Sequence, residues 1–159
     1  MSTHAATVDW ALGDGDFARR RYSRAHTLSF GGGLAAPGSP SVEIVPPPWS
    51  RPDAIDPEAA FTASLAACHM LWFLDFAARA GLVATAYRDE AQGTLSKNAA
   101  GAMAMTRVVL RPAVQFAGEP VPSPDEVAAL HQAAHKACFI ANSVLTEVVI
   151  ESQPSSSTP

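Results

Sequence analysis

An α+β fold is predicted for this 159-residue chain by three features of its sequence. Segments typical of β-strands come in groups, only two long segments carry helix start signals, and 48% of the residues are hydrophobic against 16% charged. Grouped antiparallel strands with a few helices are typical of α+β domains, and this composition is typical of a chain that folds around a core. The length suits one domain, which we place at residues 1–151, followed by a flexible polar tail at 152–159.

Three short strands are predicted before the first helix. Apolar or alternating segments are bounded there by glycine and proline clusters, which mark turns. The segments are residues 6–12, 26–30 and 42–45. Three consecutive prolines at 46–48 end the third segment, because proline has no N–H and cannot continue a central strand.

The first helix has clear signals at both ends. Asp56 can cap it, Pro57 suits its first turn, and Glu58 favours the positive end of the helix dipole. The helix is predicted to run to about residue 80, where Gly81 supplies a C-terminal stop.

The middle of this helix, residues 65–76, is apolar nearly all round. Such a helix is expected to be buried on more than one side. The apolar segment could be mistaken for a membrane span, but His69, Asp75 and Arg79 would each be costly at the centre of a bilayer. A buried helix is therefore predicted.

Two long strands, at residues 85–96 and 103–116, follow in the sequence and are joined by a turn that contains a glycine. Their residues alternate between two faces, as expected for strands. Pro112, inside the second segment, predicts a bulge or an edge position.

The second helix begins with a capping-box pattern. Ser123 and Glu126 have the required spacing, and Pro124 suits the first turn. The helix is predicted to continue through Ala137, with a short helical piece starting near Cys138. A final strand is predicted at residues 145–151.

Charge and cysteine content exclude several classes of function. The net charge of −4 and the short basic runs do not suit a nucleic-acid or membrane-surface partner. Two cysteines cannot form a disulfide framework, and no signal-peptide pattern opens the chain. A cytoplasmic location with both thiols reduced is therefore expected.

Cys68 and Cys138 each have two interpretations. A buried cysteine often acts only as a small apolar side chain. A thiol becomes a good nucleophile when an arginine, a histidine or a helix N-terminus stabilises its thiolate. Cys138 has such a terminus if a new helix begins there, whereas Cys68 would need help from outside its own helix.

The pattern formed by these cysteines and the start of the first helix resembles the OsmC/Ohr family of osmotically inducible and organic hydroperoxide resistance proteins. Asp56-Pro57-Glu58 opens the helix, Ala66-Ala67-Cys68 follows ten residues later, and Cys138 precedes Asn142 and Ser143 before the final strand. The similar element order covers about residues 6–151. The resemblance implies an OsmC-like fold with antiparallel sheets packed around two central helices, in an intertwined homodimer.

The same resemblance implies a thiol-dependent peroxidase that needs no cofactor or metal. Cys68 would attack an organic hydroperoxide, Cys138 would resolve the resulting sulfenic acid to a disulfide, and an external thiol or dithiol would reduce it. Glu58 matches the family's glutamate that pairs with an activating arginine. We expect Arg24 to be that arginine, because a strand start holds a guanidinium firmly, and Arg51 remains the alternative.

Helix geometry bears on the oligomeric state. Ten residues of continuous helix separate Glu58 from Cys68 by roughly 15 Å. The two residues cannot share a site within one chain, so a symmetric dimer with shared active sites is expected.

Other interpretations are open. His69 follows Cys68 where the family commonly has phenylalanine, and we expect a packing or hydrogen-bonding role for it. Phe139 follows Cys138 where proline is common. His131, His135 and Cys138 have the i, i+4, i+7 spacing of zinc ligands. A member of the same fold that binds a small apolar ligand without catalysis is the other alternative.

Overall fold

The computed structural model describes residues 1–154 and the backbone of residues 156–158. The chain divides into two compact units, Met1–Ala60 and Phe61–Pro159. The first unit contains one three-stranded sheet. The second unit contains two three-stranded sheets and most of the helical residues.

The first unit contains an antiparallel sheet in the order β1-β2-β3. Its strands are β1 (Ala6–Asp9), β2 (His26–Phe30) and β3 (Ala35–Gly38). The first two occur where they were predicted, although β1 is shorter. The third prediction is wrong, because residues 42–45 form a turn and β3 lies earlier in the chain. Pro37 is tolerated in β3 since this strand lies at the edge of its sheet.

Helix α1 (Pro57–Arg79) follows, and both of its predicted ends are confirmed. The carboxylate of Asp56 accepts a hydrogen bond of 2.8 Å from the Ala59 N–H, which satisfies one of the free donors of the first turn. Gly81 ends the helix with φ of +76°, a conformation that glycine adopts readily.

Burial along α1 differs from the prediction. Its buried residues recur every three or four positions on one face, as expected for a helix that packs on one side. They are Thr62, Leu65, His69, Phe73 and Ala77. Other apolar side chains of the helix are exposed to solvent, and Leu71 is 63% exposed. The sheets and α2 of its own chain therefore cover only part of this apolar helix. By length and composition alone α1 could also cross a membrane.

The second unit contains two mixed sheets, ordered β4-β7-β9 and β5-β6-β8. Their strands are β4 (Val83–Asp89), β5 (Gln92–Lys97), β6 (Met103–Leu110), β7 (Pro112–Ala117), β8 (Glu147–Ile150) and β9 (Ser156–Thr158). The pairs β6–β8 and β7–β9 are parallel, so the sheets are not purely antiparallel as predicted.

Each long predicted strand is in fact two strands that belong to different sheets. The second break falls at Arg111, directly before Pro112, which has no N–H and begins β7. The Arg111 N–H donates to the Asp89 carboxylate at 2.6 Å instead of extending a strand. The tail also differs from its prediction, because residues 156–158 pair with the open edge of β7. Residues 155 and 159 lie outside the described part.

Helix α2 (Pro124–Ala137) confirms the second capping prediction. The Ser123 hydroxyl accepts from the Glu126 N–H, and the Glu126 carboxylate accepts from the Ser123 N–H. Cys138 is the C-cap of α2, and the expected helical piece is a single 3₁₀ turn at Ala141–Ser143.

Two apolar clusters form the core of the second unit. One joins α1 and α2 to β7, and its buried members are Phe73, Ala77, Val114, Phe116, Val127 and Ala134. The other joins α1 to β6 through Leu65, Val108 and Leu110. The first cluster holds the two helices that carry the cysteines against one another.

Candidate functional site

The two cysteines meet in the second unit. Cys68 lies half-buried on α1, and Cys138 lies at the end of α2 with 1% of its surface exposed. Both are free thiols, and Cys68 helps to raise the pKa of Cys138, so the two side chains lie close together. The packing of α1 on α2 therefore brings together two residues that are seventy positions apart in the sequence.

Cys138 has a perturbed thiol. Burial, followed by the contact with Cys68, raises the pKa of Cys138 to about 11. The Ala141 N–H donates to its sulfur at 3.4 Å, and the Ile140 N–H also acts on it. These two N–H groups favour the thiolate but do not offset the burial. Cys138 therefore keeps its proton at neutral pH.

Apolar side chains lie near each cysteine along the chain. Trp72, one helical turn beyond Cys68, packs edge-on against Phe139, with ring centroids 5.3 Å apart. Phe139 is 68% exposed, and Leu71 on α1 is also open. An exposed apolar surface on α1 and directly after α2, near a pair of reduced thiols, is suited to contact with an apolar substrate or a second protein surface.

Arg24 and Glu58 line one cavity in the first unit. The cavity has a volume of about 410 Å³, and three aromatic rings, Trp10, Phe17 and Tyr22, form much of its wall. The Arg24 guanidinium lies 4.4 Å from the centroid of the Tyr22 ring and donates to the Tyr22 carbonyl at 3.2 Å. Arg24 is thereby held in place beside the cavity that Glu58 lines.

Arg51, the alternative arginine, forms an ion pair with Asp53. Its guanidinium donates to both carboxylate oxygens of Asp53, at 2.8 and 2.6 Å, on the exposed surface. That neighbour holds the pKa of Asp53 down, to about 2. Arg24 therefore lines a cavity together with Glu58, whereas Arg51 pairs with Asp53.

His69 is buried and hydrogen-bonded, as expected. Its Nε2 lies 3.0 Å from Nδ1 of His131, and the two rings are stacked with 9° between their planes. His131 also stacks on Phe73, with ring centroids 4.3 Å apart. Burial lowers the pKa of each imidazole to about 4, and for His69 the neighbouring His131 and His135 act in the same direction. The pair is therefore neutral at pH 7.

The zinc interpretation gains no support from the described residues. No group of three His, Cys, Asp or Glu side chains in that part of the chain could hold a metal ion. His131 directs one ring nitrogen at His69 instead. No local pattern in the sequence indicates this pair, because its two members lie 62 positions apart.

Residues 50–153 match the family model described as OsmC-like protein. The chain belongs to the OsmC-like family. Among solved structures, an OsmC-like protein of unknown function from Vibrio cholerae is 46% identical, with a TM-score of 0.94, over 96% of this chain and all of that one. No curated protein matches the chain.

More distant OsmC-like structures share the fold. An organic hydroperoxide resistance protein from Elizabethkingia anophelis is 15% identical, with a TM-score of 0.67, over 99% of this chain and 98% of that one. One from Bacillus subtilis is 17% identical, with a TM-score of 0.61, over 96% and 98%. The predicted α+β, OsmC-like fold is thus confirmed.

Proposed function

We propose that this OsmC-like protein is a cytoplasmic, thiol-dependent peroxidase that reduces organic hydroperoxides. The contact between the Cys68 and Cys138 thiols carries the proposal. Two thiols can pass through a disulfide cycle only if they lie within bonding reach of each other. Membership of a family in which some proteins are named for organic hydroperoxide resistance adds support.

The reaction needs no group beyond the chain, the peroxide and a reductant. The Cys68 thiolate attacks the terminal peroxide oxygen, the O–O bond breaks, and the alkoxide leaves and takes up a proton to become an alcohol. Cys68 is then a sulfenic acid. The sulfur of Cys138 attacks the Cys68 sulfur, the S–O bond breaks, and the hydroxyl leaves as water with the Cys138 proton. An external dithiol returns both residues to thiols.

Their surroundings assign different roles to the two cysteines. Cys68 is partly open and can meet a peroxide, whereas Cys138 is buried and holds its proton. Thiolates, not thiols, attack peroxides. Cys68 is therefore the attacking residue in this proposal, and Cys138 the resolving one.

The activating residues would come from a second copy of the chain. Arg24 and Glu58 share a cavity, but ten residues of α1 separate Glu58 from Cys68, a rise of roughly 15 Å. In a homodimer with shared active sites, this pair of one copy would support the Cys68 thiolate of the other. The open apolar face of α1, at Leu71, supports such an association because an apolar surface of this kind favours burial.

Steady-state turnover of an alkyl hydroperoxide with a dithiol reductant tests the proposal. Replacing Cys68 by serine should abolish turnover, since no attacking thiolate remains. With the dithiol left out, Cys138→Ser should consume about one equivalent of peroxide per chain and then stop at the sulfenic acid of Cys68. Unchanged turnover in C68S would overturn the assignment.

A non-catalytic role in binding a small apolar ligand is the second candidate, and the aromatic cavity of the first unit favours it. It predicts that native Cys68 ignores hydroperoxide while an apolar probe binds. Trp10→Ala should then weaken that binding, and C68S should leave it unchanged.

A further inference from the structure

We propose that the buried His69–His131 pair is a positioning device that holds α1 and α2 in the one register at which the Cys68 and Cys138 sulfurs can join. The inference rests on the proposed function for its biological meaning, since a disulfide step is what the positioning would serve. It concerns residues that do not touch the peroxide, so they are positioning residues and not catalytic ones.

The histidine pair joins the same two helices as the thiols. His69 directly follows Cys68 on α1, and His131 lies seven residues, close to two full turns, before Cys138 on α2. The histidine bond and the thiol contact therefore link the same two helices from the same face of α2. On α1 the two links start from adjacent positions, which point about 100° apart. Together they limit both the rotation and the sliding of α1 against α2.

The hydrogen bond between the two imidazoles is directional. The 3.0 Å contact joins one nitrogen of each ring, and such a bond weakens steeply once its atoms move out of line. Apolar contacts such as Phe73 against Ala134 tolerate sliding much better, because they have no preferred direction. A disulfide requires its two β-carbons within about 3.5–4.5 Å of one another. A directional bond next to the thiols is suited to maintain that geometry.

Burying the two imidazoles has a cost in free energy. His69 and His131 are only 1% and 3% exposed. Nδ1 of His69 and Nε2 of His131 are buried and have no hydrogen-bond partner in the described part of the chain. Whichever tautomer is present, one buried N–H is therefore unsatisfied, and two apolar residues of similar volume would avoid that penalty. A stabilising role alone does not account for the pair, whereas a positioning role does.

The pair should also make the positioning sensitive to acid. Both rings are neutral at pH 7, and a neutral pair can share one proton between Nε2 and Nδ1. Two protonated rings present only donors to each other, so the bond is lost once both are charged. Among the ionisable groups of the packed elements, His135 on α2 acts electrostatically on His69, and Cys68 is the neighbour of His69 on α1. Tyr87 on β4 packs against Phe73, on which His131 stacks.

Two double variants separate the hydrogen bond from the packing. H69L/H131L keeps apolar volume and removes the bond. H69Q/H131N keeps a donor and an acceptor near the Nε2 and Nδ1 positions but cannot titrate. Diamide, an oxidant that takes two electrons from a pair of thiols and becomes a hydrazine, measures Cys68–Cys138 disulfide formation without any hydroperoxide.

We expect H69L/H131L to fold and to form the disulfide with diamide about tenfold or more slowly than the native protein at pH 7, because small misplacements of reacting groups have large effects on rate. H69Q/H131N should restore the native rate, and below about pH 4 it should form the disulfide faster than the native protein once both are corrected for diamide's own pH dependence. A native diamide rate in H69L/H131L, or a slow rate in H69Q/H131N at pH 7, would overturn the positioning role. A separate hydroperoxide assay on the native protein reports on the proposed peroxidase function, so the two ideas can fail independently.

Discussion

Acidification should lower the stability of the second unit through the His69–His131 pair. The pKa of each imidazole is lowered from an ordinary value of 6.5 to about 4 in the folded chain. Between these two pH values the unfolded chain binds protons that the folded chain does not bind. The free energy of unfolding therefore falls as the pH drops from about 6.5 toward 4, and it is fully retained above 6.5.

The size of the effect follows from the same values. A pH of 5 is about 1.5 units below the ordinary pKa of each imidazole and still above its pKa in the folded chain. Each pH unit in this range corresponds to about 1.4 kcal/mol in the free energy of unfolding. The loss is then about 2 kcal/mol for one ring, and about 4 kcal/mol for the pair if both titrate independently. Total stabilities are about 5–15 kcal/mol, so this loss is easily measured.

Urea unfolding at pH 7 and at pH 5 tests this prediction in the native protein and in H69Q/H131N. The variant cannot titrate at these positions, so its loss of stability between the two pH values should be smaller by about 4 kcal/mol. Burial raises the pKa of Asp89, which acts in the opposite direction, and the comparison between the two proteins cancels that effect. Replacing the exposed His4 by glutamine is the matched control and should change nothing. Equal pH dependence in the native protein and H69Q/H131N would refute the reasoning.

Three further predictions concern the thiol, the arginine and a helix cap. In Cys68→Ala the only remaining thiol is that of Cys138. Its pKa, measured from thiolate absorbance as the pH is raised, should lie above the ordinary cysteine range because the side chain is still buried. A titration midpoint near 8.5 would contradict this. Arg24→Ala should reduce peroxide turnover about tenfold or more, while Arg51→Ala, which breaks only an exposed ion pair, should not; equal effects would remove the preference for Arg24. Ser123→Ala should lower the free energy of unfolding by about 1 kcal/mol in urea denaturation, and no change would argue against the capping box.

The parts of the fold that sequence reasoning predicted well are governed by local chemistry. The caps at Asp56 and Ser123 are confirmed because a cap involves only the first turn of its own helix. The contact of Cys68 with Cys138 is not local, and the expectation for it came from a family resemblance. Arg24 and Glu58 line one cavity, and their predicted activating role stays a prediction.

The parts that sequence reasoning missed depend on distant partners. Strand β3 contains Pro37 and pairs only at the edge of its sheet, so its own composition gives little sign of a strand. The break at Arg111 depends on the Asp89 side chain from another strand. His131 has an apparent metal-ligand spacing along α2, but its partner, His69, lies on the other helix. In each case a tertiary contact overrides the local pattern.

Mass spectrometry after one equivalent of an alkyl hydroperoxide tests the central claim most directly. The protein is oxidised, alkylated and digested without reductant. The account predicts one intramolecular disulfide between Cys68 and Cys138 and one equivalent of alcohol released per chain. Two alkylated cysteines with the peroxide unconsumed would contradict it.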